Sequence, residues 1–334
     1  MIFKWKKIKV TSSGDWKTIV CFIFGVMNGH LPVKTAVFEL QSSIEVIEKN
    51  LVLREEKNFD ERGWALEFIG HQIIDQIEEL LEKTVQPDKL LSLLYQAEKI
   101  KSELEEIDNN LFQRIQAGIQ EGRYRGAAFK NMVEEYFDFI SEHKEPIEEP
   151  GYDNLDIFIN GLFPFPRIPH QIKDLEPEMV YYQKTPSKIV FELVEKAHFT
   201  KEDVFFDLGS GLGQPAILVN LLTGIKAKGI EFEPAFCEYA RECAGALNLA
   251  QVEFINADAR QADYDEGTVF FMFTPFRGEI LQEVLTKLKK ESLLRKIKII
   301  SYGPCTVEIA RQRWLESADP KNDNIYKLHF FSSF

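Results

Sequence analysis

The sequence predicts an α/β protein, in which a Rossmann-like doubly wound sheet follows an N-terminal α-helical domain. Three observations predict it. Strand-like and helix-like segments alternate regularly from residue 203 onward. A glycine-rich loop, with Gly209, Gly211 and Gly213, separates the first of these strands from a helix. Between residues 33 and 140, apolar residues recur at steps of three and four, as on a helix. Alternation of strands and helices indicates parallel strands joined by right-handed crossovers.

Composition and charge are those of a globular protein of two domains. The chain has 334 residues, of which 45% are hydrophobic and 28% charged. Its net charge of −13 argues against broad nucleic-acid binding, because phosphate neutralisation needs clustered lysine and arginine. The charge does not argue against a basic protein substrate. Neither Cys-x-x-Cys nor His-x-x-x-His occurs, so we expect reduced thiols, no metal site and a cytoplasmic protein.

Residues 1–32 are an atypical start. The apolar run Thr18–Met27 follows four lysines, Lys4, Lys6, Lys7 and Lys9. It is too short for a spanning helix, which needs ~20 apolar residues, so we expect no membrane partner. No small-x-small cleavage site follows, which disfavours a signal peptide. Translation from Met27 is an alternative start.

Residues 1–141 are assigned to the helical domain. Four apolar stripes predict its helices: Val37 to Leu51, Leu66 to Leu80, Leu93 to Leu111 and Phe129 to Ile140. Each stripe must be buried against another, which favours a bundle. An antiparallel coiled-coil arm that forms a homodimer is the alternative. No catalytic cluster occurs in this part of the sequence.

A proline-rich segment, residues 142–176, separates the domains and is interpreted as an aromatic strap across the following domain. The next helix is predicted to begin at Thr185-Pro186, with Thr185 as N-cap and Pro186 as the first helical residue. The domain from 177 to 334 then holds strands at 203–208, 227–231, 252–256, 268–274 and 296–302. Two further strands, from Arg313 and from Ile325, close it.

Acidic residues follow three of these strands. Asp207 lies beside the glycine loop, where it would repel a pyrophosphate and favour a cofactor with positive groups. Gln214 also replaces the last glycine of the dinucleotide fingerprint. Glu231 can accept hydrogen bonds from both hydroxyls of a ribose. Asp258 can meet an adenine amino group. The strand ends therefore predict one cofactor cleft.

These motifs support a resemblance. Asp207-Leu-Gly-Ser-Gly-Leu-Gly-Gln214, Gly229-Ile-Glu231 and Asn256-Ala-Asp-Ala259 resemble those of class I S-adenosylmethionine-dependent methyltransferases. Together with Tyr182-Gln-Lys-Thr185-Pro186, they look most like bacterial relatives of the Dot-type (non-SET) histone lysine methyltransferases. The closing strands resemble the antiparallel edge hairpin of that class.

The resemblance implies S-adenosyl-L-methionine as the cofactor and methyl transfer as the reaction. The cofactor-binding residues that it implies are Thr185, Asp207, Gly209, Ser210, Gly211, Gly213, Gln214, Glu231, Asp258 and Ala259.

The acceptor end is assigned to Thr274, Pro275 and Phe276, which follow the fourth strand. Threonine stands where asparagine, aspartate or serine is more usual in such enzymes. This departure weakens the inference that the acceptor is adenine. The expectation is N-methylation of a protein lysine or of an amine. Tyr182 is the candidate general base, with a purely structural role as the alternative. For the Thr274 turn, the alternative is a simple strand exit with Phe276 in the core.

Two other functions stay open at the level of the sequence. One is a non-catalytic Rossmann-like interaction protein that recruits a partner through its helices. The other is a nicotinamide-dependent oxidoreductase, which Asp207 and Gln214 disfavour.

Overall fold

The structure is a computed structural model and describes residues 33–85, 87–137, 151–165, 167–320 and 324–334. The apolar run Thr18–Met27 and Ile140 lie outside these ranges. The chain forms two compact units, Met1–Leu111 and Phe112–Phe334. The division at 141 and 176 expected from the sequence stays a prediction.

The first unit is helical. Its elements are α1 (Val33–Lys49), a 3-10 turn (Leu51–Arg54), α2 (Phe59–Phe68), a π-helical turn (Ile69–Ile74), α3 (Asp75–Leu81) and the first part of α4 (Asp88–Gln120). The first three predicted stripes supply its core, including Leu40, Ile44, Ile73, Ile77 and Leu104. Leu51 is an exception, since it is 72% exposed. Helix α1 ends before it, and Asn50 caps the 3-10 turn by accepting from Val52 N, so that Leu53 is buried instead.

A buried ion pair lies in the same unit. The guanidinium of Arg62, which is fully buried, donates from Nε to Asp108 Oδ1 at 2.6 Å. Its other nitrogens donate to the carbonyl oxygens of Leu53, Glu55 and Glu56. Arg62 therefore fixes the turn between α1 and α2 against α4.

The fourth predicted helix belongs to the second unit. Helix α5 (Ala127–Glu134) packs on the helix that follows the glycine loop, α8 (Gln214–Thr223), and Gly126 N donates to Leu221 O at 2.7 Å. Its predicted stripe residues Phe129 and Val133 are buried. The stripe was therefore interpreted correctly as a helix but assigned to a different packing partner, because periodicity does not identify the surface that covers a face.

Seven strands form one sheet in the order β3-β2-β1-β4-β5-β7-β6. They are β1 (Val204–Leu208), β2 (Lys226–Glu231), β3 (Val252–Asn256), β4 (Val269–Met272), β5 (Lys298–Ser301), β6 (Leu315–Ser317) and β7 (His329–Ser333). Strands β1 to β5 pair in parallel, and β7 is antiparallel to β5 and to β6. The remaining helices are α6 (Asn154–Gly161), α7 (Ser187–Ala197), α9 (Pro234–Ala246), α10 (Gly278–Ser292) and α11 (Cys305–Ala310).

This topology confirms the predicted fold, including the antiparallel edge hairpin. The order of the strands reverses at β1, which has β2 on one side and β4 on the other. Open α/β sheets bind ligands at the carboxyl ends of the strands beside such a reversal. Among the described residues, none of the helices combines the length and apolarity needed to cross a membrane.

Helix α7 starts differently from the prediction. Thr185 is not its N-cap: the cap is Pro186, and helical residues begin at Ser187. Asp156 of α6 supplies the missing acceptor, since its Oδ1 accepts from Ser187 N at 2.7 Å. Proline carries no side-chain acceptor, so the capping oxygen comes from a distant residue, which leaves Thr185 available to the site.

Candidate cofactor and acceptor site

A cleft opens at the carboxyl ends of β1 and β4. It is lined by Tyr182, Gln183, Thr185, Asp207, Gly209, Ser210, Gln214, Pro215 and Phe273. Most of these residues were predicted for the cofactor or the acceptor, and the fold brings them together from the segment before α7, the glycine loop and the end of β4. Gly211, Gly213, Glu231, Asp258, Ala259, Thr274, Pro275 and Phe276 are not among the lining residues.

At two positions of the loop, other residues approach the backbone so closely that only glycine fits. Gly209 and Gly211 have φ angles of 76° and 51°. A Cβ atom on Gly209 would lie 2.2 Å from Cβ of Pro275, and one on Gly211 would lie 2.3 Å from the ring of Tyr182. Any side chain at either position would displace the acceptor turn or the tyrosine. The loop therefore brings its backbone directly against the residues predicted for the acceptor.

Asp207 is a buried carboxylate with an unused oxygen. It is 3% exposed, and its Oδ2 atom has no hydrogen-bond partner among the described residues. Burial, and secondarily the charge of Glu231, raise the pKa of Asp207 well above the usual value for aspartate. Ser210 Oγ and Gln214 Oε1 are also buried without a partner there. Such groups cost stability unless a ligand satisfies them. The ammonium and sulfonium groups of S-adenosylmethionine fit this set of acceptors.

Glu231 holds the glycine loop in place. Its Oε2 atom accepts from Gly211 N at 2.6 Å, and its Oε1 atom accepts from Glu233 N at 2.7 Å. Each carboxylate oxygen can accept more than one hydrogen bond, so capacity remains for ribose hydroxyls. The ribose contact stays a prediction, and the backbone contacts are a role that the sequence did not reveal.

Asp258 is engaged by a neighbouring arginine. Its carboxylate accepts from Arg260 Nε at 3.0 Å and from Arg260 N at 2.8 Å, and Arg260 also pairs with Glu176 at 2.6 Å. The hydrogen bond from Arg260 is the main reason why the pKa of Asp258 is lowered. Ala259 is buried in the core. Both oxygens of Asp258 accept hydrogen bonds from Arg260, so the predicted adenine contact needs a lone pair that Arg260 leaves unused.

The acceptor turn has an unusual backbone. Thr274 has a φ of 44°, a left-handed conformation that β-branched residues rarely adopt. Its hydroxyl accepts from Cys305 N at 3.2 Å and contacts Tyr302 O at 3.3 Å. The Thr274 hydroxyl is thus occupied by contacts within the protein. Its hydrogen bond from Cys305 N indicates a structural role for Cys305.

The other two residues of the turn differ in their surroundings. Pro275 contacts the segment before α7, because Val180 N donates to Pro275 O at 3.1 Å. Phe276 is 5% exposed and packs in the core with α10, which corresponds to the alternative for this turn, a strand exit with Phe276 in the core. Phe273 lines the cleft in its place.

Tyr182 covers the glycine loop. Its ring centroid lies 5.5 Å from that of Phe236. Burial, reinforced by neighbouring tyrosines and carboxylates, raises the pKa of Tyr182 above the usual value for tyrosine. The phenol is therefore protonated at neutral pH, which favours its structural role over that of a general base.

Three residues of the site were not predicted. Gln183 and Pro215 line the cleft, and Ser187 Oγ accepts from Gln214 Nε2 at 2.8 Å. Gln183 could have been found from the extended chain before Pro186, where alternate residues share a face and Thr185 was already assigned to the cofactor. No local signal identified Ser187, because its partner is distant in sequence.

Fold and site together define a class of protein. A doubly wound sheet with an antiparallel edge hairpin, a glycine loop and a buried acid that suits a cation characterises class I S-adenosylmethionine-dependent methyltransferases. Residues 176–305 match the model of the family described as "Histone methylation protein DOT1". The match spans less than half of the chain. It confirms the resemblance, the methyltransferase activity and S-adenosylmethionine as the cofactor. A search of curated proteins gave no match.

Several solved structures are similar to part of this chain. An RNA methyltransferase from Salinibacter ruber, in complex with S-adenosyl-L-homocysteine, is 24% identical, covers 45% of this chain and 92% of its own, and has a TM-score of 0.35. A SAM-dependent methyltransferase from Thiobacillus denitrificans, in complex with the same molecule, is 24% identical, covers 34% and 47%, and has a TM-score of 0.30. Precorrin-6y C5,15-methyltransferase from Geobacter metallireducens is 15% identical, covers 47% and 92%, and has a TM-score of 0.36. These TM-scores are low, so nothing about the acceptor is inferred from these proteins.

Proposed function

We propose that this methyltransferase transfers the methyl group to a nitrogen, which is the side-chain amine of a protein lysine or a smaller amine. The observation that carries the proposal is the buried Oδ2 atom of Asp207, which has no hydrogen-bond partner among the described residues and lies at the glycine loop that contacts Pro275. This observation supports a site for a cationic cofactor directly beside the acceptor turn.

The residues of the chain act by position. When bound, S-adenosylmethionine supplies an activated methyl group, so the protein needs no covalent intermediate. Asp207 and the loop hold the charged end of the cofactor, while Phe273 and Tyr182 exclude water from the cleft. Alignment of the reacting groups supplies up to ~7–11 kcal/mol. An amine in such apolar surroundings has a lowered pKa, so it can lose its proton to solvent without a dedicated base.

A basic protein is the favoured acceptor. The family described by the matching model methylates histones, which are proteins, and residues 176–305 contain both the cofactor loop and the acceptor turn. The net charge of −13 suits a basic protein better than a phosphate backbone. A small amine is the second candidate, because the aromatic lining of Phe273 and Tyr182 would accommodate it equally.

Labelled S-adenosylmethionine tests the proposal. The full chain is incubated with it and with a lysate divided into protein, nucleic acid and small molecules. We expect label on protein, released by hydrolysis as methylated lysine, and much less label with the Asp207→Asn variant at the same cofactor concentration. Label confined to nucleic acid contradicts N-methylation of protein, and label confined to small molecules selects the second candidate. Calorimetry tests the cofactor independently of the acceptor. We expect S-adenosylhomocysteine to bind and NAD not to bind.

A further inference from the structure

A group of exposed apolar side chains lies at the far end of α10 from the cleft. Leu293 and Leu294 are each 79% exposed, and Phe334 is 78% exposed. Phe334 belongs to the same surface, because Ser333 N donates to Ile297 O at 2.9 Å and the antiparallel register sets residue 334 opposite Lys296. Three large apolar side chains thus protrude at the amino-terminal edge of the sheet.

Three lysines lie close in sequence to Leu293 and Leu294. Lys289, Lys290 and Lys296 are exposed, and none of them forms an ion pair with a residue in the part of the chain that the structure describes. These three lysines form a local positive charge, although the net charge of the whole chain is −13. The charge of this surface is therefore complementary to an anionic partner.

We propose that this basic-apolar patch, formed by Lys289, Lys290, Leu293, Leu294, Lys296 and Phe334, docks the protein on the surface of an anionic lipid bilayer. The sequence led us to expect no membrane partner, but that expectation weighed only spanning segments. Peripheral binding needs no such segment: leucine and phenylalanine enter the interface while lysines contact the anionic headgroups.

The shape of the patch selects a bilayer over an acidic peptide. Side chains that are 79% exposed protrude, whereas a peptide groove encloses the side chains that line it. A protruding group needs a deformable partner or a matching pocket, and a bilayer interface adapts to it. The negative charges elsewhere do not prevent binding, because charges beyond a Debye length of ~8 Å are screened at physiological ionic strength.

The docked orientation leaves the cleft accessible. Helix α10 begins at Gly278, beside the acceptor turn, and ends at Ser292, beside the patch. Its 15 residues span about 22 Å at a rise of 1.5 Å per residue. The methyl acceptor therefore still reaches the site when the patch lies on a membrane, and the reaction takes place near the membrane surface.

Vesicle sedimentation with the full chain tests the proposal. Sucrose-loaded vesicles contain phosphatidylcholine alone or equimolar phosphatidylcholine and phosphatidylglycerol. We expect sedimentation of the protein with the anionic vesicles only, and a decrease at high salt. The Lys289→Gln/Lys290→Gln/Lys296→Gln variant should bind about a hundredfold more weakly, or about fivefold for each lysine. The Leu293→Gln/Leu294→Gln variant should lose at least about tenfold.

Matched controls separate the patch from the rest of the chain. Lys83→Gln/Lys89→Gln/Lys99→Gln changes the net charge equally on the first unit, and Leu51→Gln removes another exposed leucine. Both controls should sediment like the wild type. Binding that is unchanged in the patch variants, for instance because the lysine-rich residues 4–9 suffice, would overturn the proposal. Failure of the wild type to sediment with anionic vesicles would overturn it as well.

Discussion

At the site, the sequence predicts where individual residues lie but does not predict which residues they contact. The three acids lie at the carboxyl ends of β1, β2 and β3 as expected, because a parallel sheet brings those ends to one edge, while their contacts with a cofactor stay predictions. The partners of those acids were not predicted. Asp258 is engaged by Arg260, and Glu231 holds the backbone of Gly211 and Glu233. Hydrogen-bond partners depend on rotamers and loop paths, which strand patterns do not specify.

Asp207 should couple cofactor affinity to pH. Its folded-state pKa is raised by burial, so at lower pH the free protein carries a proton there that a cationic ligand must displace. We expect the affinity for S-adenosylhomocysteine to increase as the pH rises, and calorimetry in buffers of different ionisation enthalpy to detect proton release. Asp207→Asn should weaken binding about ten- to a hundredfold and abolish this pH dependence.

The same residue affects stability in the opposite direction. A raised folded-state pKa means that the folded protein binds this proton more tightly than the unfolded chain does. The contribution of Asp207 to stability is therefore present below the unfolded pKa and lost as the pH rises through the folded value. Without ligand, Asp207→Asn should melt at a higher temperature than the wild type at neutral pH. A lower melting temperature together with unaltered binding would contradict the assigned role.

Glu231 provides a second test of the cofactor site. Glu231→Ala removes the acceptor for Gly211 N as well as the predicted acceptor for the ribose, so binding of S-adenosylhomocysteine should weaken about ten- to a hundredfold. Glu253→Ala, on the neighbouring strand, removes an acid that pairs with Lys228 at 3.0 Å outside the cleft. Calorimetry should show no change for this control. Equal affinities of the two variants would place the ribose elsewhere.

Two substitutions of Thr274 should differ in their effect on the stability of the protein. Asparagine tolerates a positive φ better than threonine and can still accept from Cys305 N, so Thr274→Asn should be at least as stable as the wild type. Thr274→Val keeps the strained branched side chain and loses the acceptor, which should cost about 1 kcal/mol. Thermal melts check the order. An asparagine variant less stable than the valine variant would show that the backbone strain is unimportant.

At the scale of elements, the helices of the first unit depend on one buried cation. Arg62→Met leaves Asp108 and three carbonyl oxygens without their donor, so the free energy of unfolding should fall by about 3–5 kcal/mol. Arg54→Met breaks a more exposed pair with Glu103 at 3.3 Å and should change stability by at most about 1 kcal/mol. Denaturant titrations compare the two. Similar losses of unfolding free energy in the two variants would mean that the buried contacts of Arg62 stabilise the protein no more than the exposed pair does.

The elements also show the limits of a periodic pattern. Periodicity correctly indicated that Phe129 and Val133 face a core, but their partner is α8 rather than the helices of the first unit. Likewise, Thr185-Pro186 marked the start of a helix, while the capping oxygen comes from Asp156. Both partners are distant in sequence. A local pattern specifies which face is buried and leaves open what covers it.

At the scale of the whole molecule, the boundary between the units determines which fragment is expected to fold. A fragment of residues 112–334 retains α5 on α8, whereas 142–334 exposes the surface that Phe129 and Val133 cover. We expect both fragments to bind S-adenosylhomocysteine, with the shorter one melting at a lower temperature. We also expect the fragment of residues 112–334 to lose acceptor turnover, since the first unit is large enough to add a recognition surface.

Turnover measurements decide the role of the first unit. Undiminished methylation by the fragment of residues 112–334 would assign the first unit to stability or oligomerisation instead. Size-exclusion chromatography of the full chain, compared with that fragment, then distinguishes the two, because the homodimer predicted from the helices requires the first unit.

If S-adenosylmethionine binds at the oxygens of Asp207, Ser210 and Gln214 that have no partner among the described residues, its supply should affect the lifetime of the protein. A ligand present at a hundred times its dissociation constant adds about 2.7 kcal/mol to the stability of the folded chain. When methionine is scarce and the cofactor pool falls, more of the chain unfolds transiently and proteases remove it sooner. We therefore expect the half-life of the protein in cells to shorten on methionine starvation, and the half-life of Asp207→Asn to change less. A degradation time course of the two proteins would measure this, and equal responses would contradict it.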